Sequence, residues 1–191
     1  MAGRFNTYIE RIEPDFWREL CVEEGELRRY EKGEEFATAG QVARYLGYIK
    51  TGTLKYVAFA DDGTEHVVGL EFAGEFVADF PFSLYDEKSR VSIVAVTPCE
   101  IHCFPTRELR LRMSSDAELK DRVMHSSEAL FSTLYDRYIA LHCKTPQQRY
   151  DDLVSAHSDI FTWFPLKDIA SFLCITPTHL SRLRRATVLR P

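Results

Sequence analysis

The spacing of apolar side chains changes period twice along this chain, and each change predicts a change of architecture. In residues 5–21, Phe5, Tyr8, Ile9, Ile12, Phe16, Trp17 and Leu20 recur mostly three or four apart, and Pro14 divides them into two short helical pieces. From about Leu27 to Phe104 the pattern becomes strand-like. The runs YLGYIK, TLKYVAFA, HVVGLEF and VSIVAV are rich in β-branched and aromatic residues, and Gly33, Gly40, Gly52, Gly63 and Gly74 punctuate them. Asp62-Gly63 between two runs predicts a hairpin. Strands at this spacing predict an antiparallel β-roll or jelly roll, with an interior wide enough for a small ligand.

From about Ser115 to His142 the helical period returns. Leu119, Val123, Leu130, Leu134 and Leu141 fall at steps of 4, 7, 4 and 7, a coiled-coil-like seam interrupted by Ser126, Ser127 and Arg137. A second stripe, Phe131, Tyr135 and Tyr138, runs beside it. One stripe is expected to pack on the β-roll and the other to meet a twin helix; the five seam residues are assigned to that dimer interface. Thr145 caps a further helix with Pro146 at its first position, so the break at Cys143–Pro146 predicts a domain boundary.

The last segment, LKDIASFLCITPTHLSRLRR, reads as two short helices around a three-residue turn. Lys167–Leu173 is the first, Cys174-Ile175-Thr176 the turn, and Pro177–Arg185 the second, with Thr176 as N-cap. Ile169, Ala170 and Leu173 face Leu180 and Leu183 at helical spacing, small Ala170 permits a close crossing, and Ile175 plugs the corner. This is the layout of a helix-turn-helix, whose second helix enters the DNA major groove. The turn position that usually holds Gly is Cys174. Thr178, His179, Ser181 and Arg182 are the expected base or near-base contacts. Arg182 and Arg185 suit guanine or phosphate, and Lys167 and Arg184 suit the DNA backbone.

Charge supports that division. The chain carries a formal −5 over 191 residues. Residues 144–191 hold seven Lys and Arg against four Asp and Glu, a net of +3, which leaves −8 on the rest. A basic tail on an acidic body is expected if only the tail touches nucleic acid. The sequence has no apolar run long enough for a membrane span and no secretory core at its start, which predicts a cytosolic protein. Five cysteines form no CxxC pair. Cys99 and Cys103, in one strand roughly 13 Å apart at strand rise, cannot bridge, so buried reduced thiols are expected. The six histidines lack the paired ligands of a jelly-roll metal enzyme, and no Gly-rich phosphate loop occurs, so neither metal, cofactor nor enzymatic activity is expected.

A β-roll, a long seam helix and a C-terminal helix-turn-helix, in that order, resemble the Crp/Fnr family of bacterial transcription regulators. YIKTGTLKYV, the DDG hairpin, EFAGEFVADF and LKDIASFLCITPTHLSRLRR carry the resemblance over nearly the whole chain. It implies a homodimer on a two-fold symmetric duplex, with a small effector in the roll changing the angle of the reading heads and RNA polymerase as a further partner. Cyclic-nucleotide-binding members hold the ribose phosphate with a Gly-Glu pair shortly after a Phe; here Phe76-Val77 is followed by Ala78-Asp79. They also place an Arg six residues before a strand Ala, and six before Ala95 is Ser89, with Arg90 one residue away. A one-residue slip in a strand turns the side chain to the other face. The effector pocket expected from Phe76, Ala78, Asp79, Ser89, Arg90 and Ser92 therefore lacks its phosphate anchor, and Asp79 repels phosphate.

The expected protein is thus α+β. It has an N-terminal antiparallel β-roll with flanking helices (1–114), a long dimerisation helix (115–143) and an all-α helix-turn-helix domain (144–191). Its function is DNA-binding transcriptional regulation through Lys167, Thr176, Thr178, His179, Ser181, Arg182, Arg184 and Arg185, with an effector the sequence does not name. The alternative is a ligand-sensing roll whose terminal hairpin docks a protein instead of DNA. Salt dependence of binding separates the two.

Overall fold

The computed structural model describes residues 6–188; Phe5 of the N-terminal stripe and residues 189–191 lie outside the described residues. A 3-10 turn (Thr7–Glu10) and helix α1 (Pro14–Glu23) are the two N-terminal pieces, with Pro14 opening the second. Eight strands follow: β1 (Glu26–Tyr30), β2 (Glu35–Ala37), β3 (Tyr45–Thr51), β4 (Leu54–Phe59), β5 (Glu65–Glu71), β6 (Phe76–Val77), β7 (Ser92–Ala95) and β8 (Cys99–Pro105). They form two antiparallel four-stranded sheets, ordered β1-β8-β3-β6 and β2-β7-β4-β5. The Asp62-Gly63 turn joins β4 to β5 with Gly63 at φ 83°. At Gly52, φ is 92° and an added Cβ would meet the Cys99 sulfur and the Pro98 carbonyl at 2.5 Å, so only glycine fits.

Inward side chains alternate with outward ones along these strands, and Ile49, Leu54, Val77, Ile93 and Ile101 fill the space between the sheets with Phe36 and Cys99. Cys21, Cys99 and Cys103 are buried free thiols as expected, whereas Cys143 and Cys174 are exposed. Both exposed cysteines stand at helix ends, where there is no sheet or stripe to cover them.

Helix α2 (Thr106–Met113) was not foreseen, because TRELRLRM carries few apolar positions. Helix α3 (Ala117–Cys143) runs unbroken for 27 residues, and the Asp116 carboxylate caps it by accepting from the Leu119 N–H at 2.9 Å. After it come α4 (Pro146–Ala156), opened by a Thr145/Gln148 capping box, then α5 (Ile160–Trp163), α6 (Leu166–Phe172) and α7 (Pro177–Val188). Among the described residues no helix is long and apolar enough to cross a membrane.

The α3 stripes need a correction. Leu119 and Val123 are buried against Tyr8, Trp17, Leu20 and Leu109 of their own chain, and Leu130 packs on the same cluster. The N-terminal pieces cover Leu119 and Val123, so these two cannot meet a twin helix, and Leu130 is half-buried. Leu134 and Leu141 remain exposed, alongside Phe131, Tyr135 and Tyr138. Polar residues of α3, among them the seam breaks Ser126 and Arg137, pin it to the N-terminal segment. Trp17 donates to Ser126 at 3.0 Å, Thr7 and Thr133 lie 2.9 Å apart, and Arg137 donates to Asn6.

The C-terminal helices also join the roll. Val67, Leu70 and Phe72 from β5 and the following turn share one apolar cluster with Leu153, Phe164, Ile169, Leu173, Leu180 and Leu183. The edge of β5 is closed by α6, since the Val67 N–H donates to the Ser171 hydroxyl at 2.9 Å. Beside it Lys55 pairs with the buried Asp168 at 2.9 Å.

Candidate DNA-reading head and effector pocket

Helices α6 and α7 meet through Ile169, Ala170 and Leu173 on one side and Leu180 and Leu183 on the other, all buried. The turn between them is closed by two backbone bonds, Cys174 N–H to Ser171 at 2.9 Å and Ile175 N–H to Ala170 at 3.0 Å. Cys174 holds φ 53°, the left-handed conformation that glycine takes more easily. Thr176 caps α7 by accepting from the His179 N–H at 3.2 Å. The Arg149 guanidinium donates to the Leu173 carbonyl at 3.0 Å and the Lys144 carbonyl at 2.7 Å, which fixes the turn against the α3–α4 joint.

The expected contact residues are not equivalent in space. Lys167, Thr176, Thr178, His179, Arg182 and Arg185 are exposed around α7. Ser181 is half-buried and its hydroxyl donates to the Pro177 carbonyl at 3.0 Å, so it is engaged within its own helix. Arg184 lies over the Phe161 ring, 4.0 Å from its centroid. The exposed cationic face is carried by Arg182, Arg185 and Arg184, the last lying over Phe161, with Lys167 at the start of α6.

In the roll, Asp79, Ser89 and Arg90 do come together. Burial raises the Asp79 pKa, while hydrogen bonding from Ser89 and the Arg90 charge pull it down. The Ser89 hydroxyl donates to the Val91 carbonyl at 2.6 Å, and Ser92 accepts from the Ala39 N–H at 3.0 Å. Arg90 is exposed and stacks on Phe82 at 4.5 Å. One oxygen of Asp79, Oδ2, is buried without a hydrogen-bond partner among the described residues.

The residue the sequence did not flag is Tyr56. Its hydroxyl accepts from the Ala78 N–H at 3.3 Å and donates to the Ala78 carbonyl at 3.2 Å. The backbone polar groups at the position of the phosphate-binding glycine are thus already satisfied within the chain. A cyclic nucleotide does not fit these residues: a Cβ stands at 78, Tyr56 holds its backbone, and a buried carboxyl sits at 79.

Strand alternation splits this segment between two faces. Val77 enters the roll interior, whereas Phe76 packs in the cluster with α1 and α3. On the Phe76 side lies an apolar pocket of about 80 Å³, walled by Trp17, Leu46, Phe76, Phe80, Val123 and Leu130. Behind it is a buried polar cluster. Asn6 donates to Glu71 at 2.8 Å and also to Glu75, Glu75 accepts from the Phe72 N–H at 3.0 Å, and Arg137 of α3 donates to Asn6. Burial and mutual repulsion push the Glu71 pKa well above the carboxylate range, and burial raises that of Glu75; Arg137 opposes both. A wider cleft of about 480 Å³ separates the end of α3 from α4 and α6, but its cations are engaged, Lys144 with Asp152 at 2.7 Å and Arg149 with the carbonyls above.

Residues 27–116 match the model of the cyclic nucleotide-binding domain family. A relative from Rhizobium leguminosarum bv. viciae, described as a probable transcriptional activator, is 29% identical over 180 residues, covering 85% of this chain and 72% of its own. The structure of FixK2 from Bradyrhizobium japonicum superposes with a TM-score of 0.73 at 18% identity, covering 85% of this chain and 83% of that one. A CRP/FNR-family transcriptional regulator from Thermus thermophilus gives 0.60 at 15% identity, over 85% and 86% of the two chains. At these identities the structures establish a shared fold.

Proposed function

We propose that this chain, whose residues 27–116 match the cyclic nucleotide-binding domain family, is a dimeric, DNA-binding transcription regulator of the Crp/Fnr type. The observation that carries the reading is the α6–turn–α7 unit. A non-glycine residue is held at φ 53° to make the turn, and the helix after it presents Thr178, His179, Arg182 and Arg185 to solvent. These hydrogen-bonding and cationic side chains, on the helix that follows such a turn, match the donors a major groove and its phosphates accept from.

The sensor unit spans 1–114, the connecting helix 115–143 and the reading head 144–191. The exposed α3 stripe, Phe131, Leu134, Tyr135, Tyr138 and Leu141, is the surface for a second copy. It repeats at three and four residues, as a helix meeting a copy of itself requires, and Phe131 and Tyr135 are already stacked with ring planes 9° apart. Two reading heads on one axis bind two half-sites, with RNA polymerase as the partner at the promoter and the cytoplasm as the place of action.

Fluorescence anisotropy on duplex DNA tests the reading. Affinity should fall linearly with salt on logarithmic axes, as phosphate contacts release counterions. Arg182→Ala should relax sequence preference at one position of each half-site, at about 1–3 kcal/mol per contact. A chain that binds no duplex at low salt favours docking of the hairpin on a protein, and an unchanged profile for Arg182→Ala sinks its assignment.

A further inference from the structure

We infer that the pocket between α1, residues 76–84 and α3 is the effector site, and that its ligand is a small, uncharged, apolar molecule. The inference rests on the regulator reading above. Three observations carry it.

Three of the polar side chains at the pocket wall, Tyr8, Tyr56 and Ser126, are already in use. The Tyr8 hydroxyl donates to the Phe76 carbonyl at 3.1 Å and accepts from the Phe76 N–H at 3.3 Å. Tyr56 is bonded in the same two-way manner to Ala78, and Ser126 donates to the Arg122 carbonyl at 2.9 Å while accepting from Trp17 at 3.0 Å. A ligand with its own donors or acceptors would bury them without partners, and an anion would face the Glu71 carboxyl. Apart from Thr106 and Glu71, what remains on offer is apolar: Trp17, Leu46, Phe76, Phe80, Val123 and Leu130.

Size sets the ligand class. The pocket encloses about 80 Å³. An apolar cavity of about 150 Å³ holds benzene, so this one suits a molecule of only a few heavy atoms and excludes a nucleotide. Entry is feasible because Leu46, Phe80 and Leu130 are half-buried.

Position gives the occupant something to act on. Val123 and Leu130 belong to α3, the helix whose other half carries the exposed stripe. Tyr8 and Glu71 line the pocket and also belong to the cluster around Arg137, whose guanidinium lies 5.8 Å from the Phe172 ring of α6. Filling the pocket therefore bears on the placement of α3 and, through Arg137, on the reading head.

Xenon is the probe. The full chain, titrated with dissolved xenon and followed by 129Xe NMR, should give a saturable shift, and a pressurised crystal should show one atom beside Val123. Val123→Phe should abolish both. Leu84→Phe, which narrows the same pocket from the other wall, serves if the first variant does not fold. Absence of a saturable shift in the unaltered chain, or an undiminished one in the folded filling variants, overturns the proposal. So does saturable binding of cyclic AMP at the pocket. Duplex binding is measured on the same samples. A chain that binds DNA but not xenon refutes the pocket and leaves the regulator reading; one that takes xenon but binds no DNA refutes the effector role with it.

Discussion

Replacing Arg137 by Met removes the cation from a buried cluster while keeping an apolar stem of similar reach. In the native chain Arg137 stands among Asn6, Glu71, Glu75, Tyr8 and Tyr56, and burial depresses its own pKa against the pull of the two carboxyls. Breaking a buried ion pair by removing one partner costs about 3–5 kcal/mol, because a charge is left uncompensated. Here the carboxyls can escape part of that cost by taking up protons, at about 1.4 kcal/mol per pKa unit, so we expect a loss of about 2–4 kcal/mol near pH 8.

The pH dependence has a defined sign. Both carboxyls have folded pKa values above the ordinary 4.5, so between 4.5 and the raised values the folded state holds more protons than the unfolded one. Stability therefore falls as pH rises through that window. Without Arg137 the folded values climb further, the window widens, and the variant loses more than the native chain at its upper end. Near pH 5 the difference should shrink toward the packing term alone. Urea denaturation followed by circular dichroism at pH 5 and pH 8, with protein concentration fixed because the proposed dimer would contribute, measures both. Adding Glu71→Gln should recover part of the loss at pH 8. A loss that is the same at both pH values, or below about 0.5 kcal/mol at pH 8, would refute the idea that Arg137 compensates buried carboxylates.

Two further substitutions probe other parts of the account. Leu134→Glu with Tyr138→Glu places charge on the exposed α3 stripe and should give a folded monomer by sedimentation; a dimer that persists would move the interface elsewhere. Cys174→Gly should leave stability unchanged or raise it by up to about 1 kcal/mol, since relief of the left-handed strain outweighs the added freedom of the unfolded chain. A destabilisation above about 1 kcal/mol would mean that the Cys174 side chain contributes packing its exposure does not suggest.

The C-terminal helical hairpin was legible because its signals are local. The Thr176 cap, Pro177 at the first helical position, Ala170 at the crossing and the Leu180/Leu183 pair all sit within fifteen residues, and each is a short-range rule. The strand runs were legible for the same reason. The sensor was not. Tyr56 reaches Ala78 across 22 residues, and Asn6 reaches Glu71 across 65. Such contacts depend on strand register and on which sheet a turn folds over, and neither is written in a local pattern. The α3 seam misled in an instructive way. Leu119 and Val123 have coiled-coil spacing, but spacing cannot say whether the covering surface comes from a twin helix or from the chain's own N-terminus. Two of the residues that broke the seam held the answer, since Ser126 and Arg137 are polar where the N-terminal segment is bonded to the helix, as it is at Thr133. A lone arginine inside an apolar helical stripe, with two glutamates four residues apart elsewhere in the chain, is the signal that could have exposed the cluster.

The central claim is that two copies of the α6–α7 unit read one duplex, and selection from a random pool tests it most directly. The full chain should enrich a two-fold symmetric sequence whose half-sites lie one helical turn apart, about 10–10.5 base pairs, or a whole number of turns. Arg182→Ala should blur the same position in both halves. Enrichment of no sequence, or of a single half-site bound by a monomer, would contradict the account.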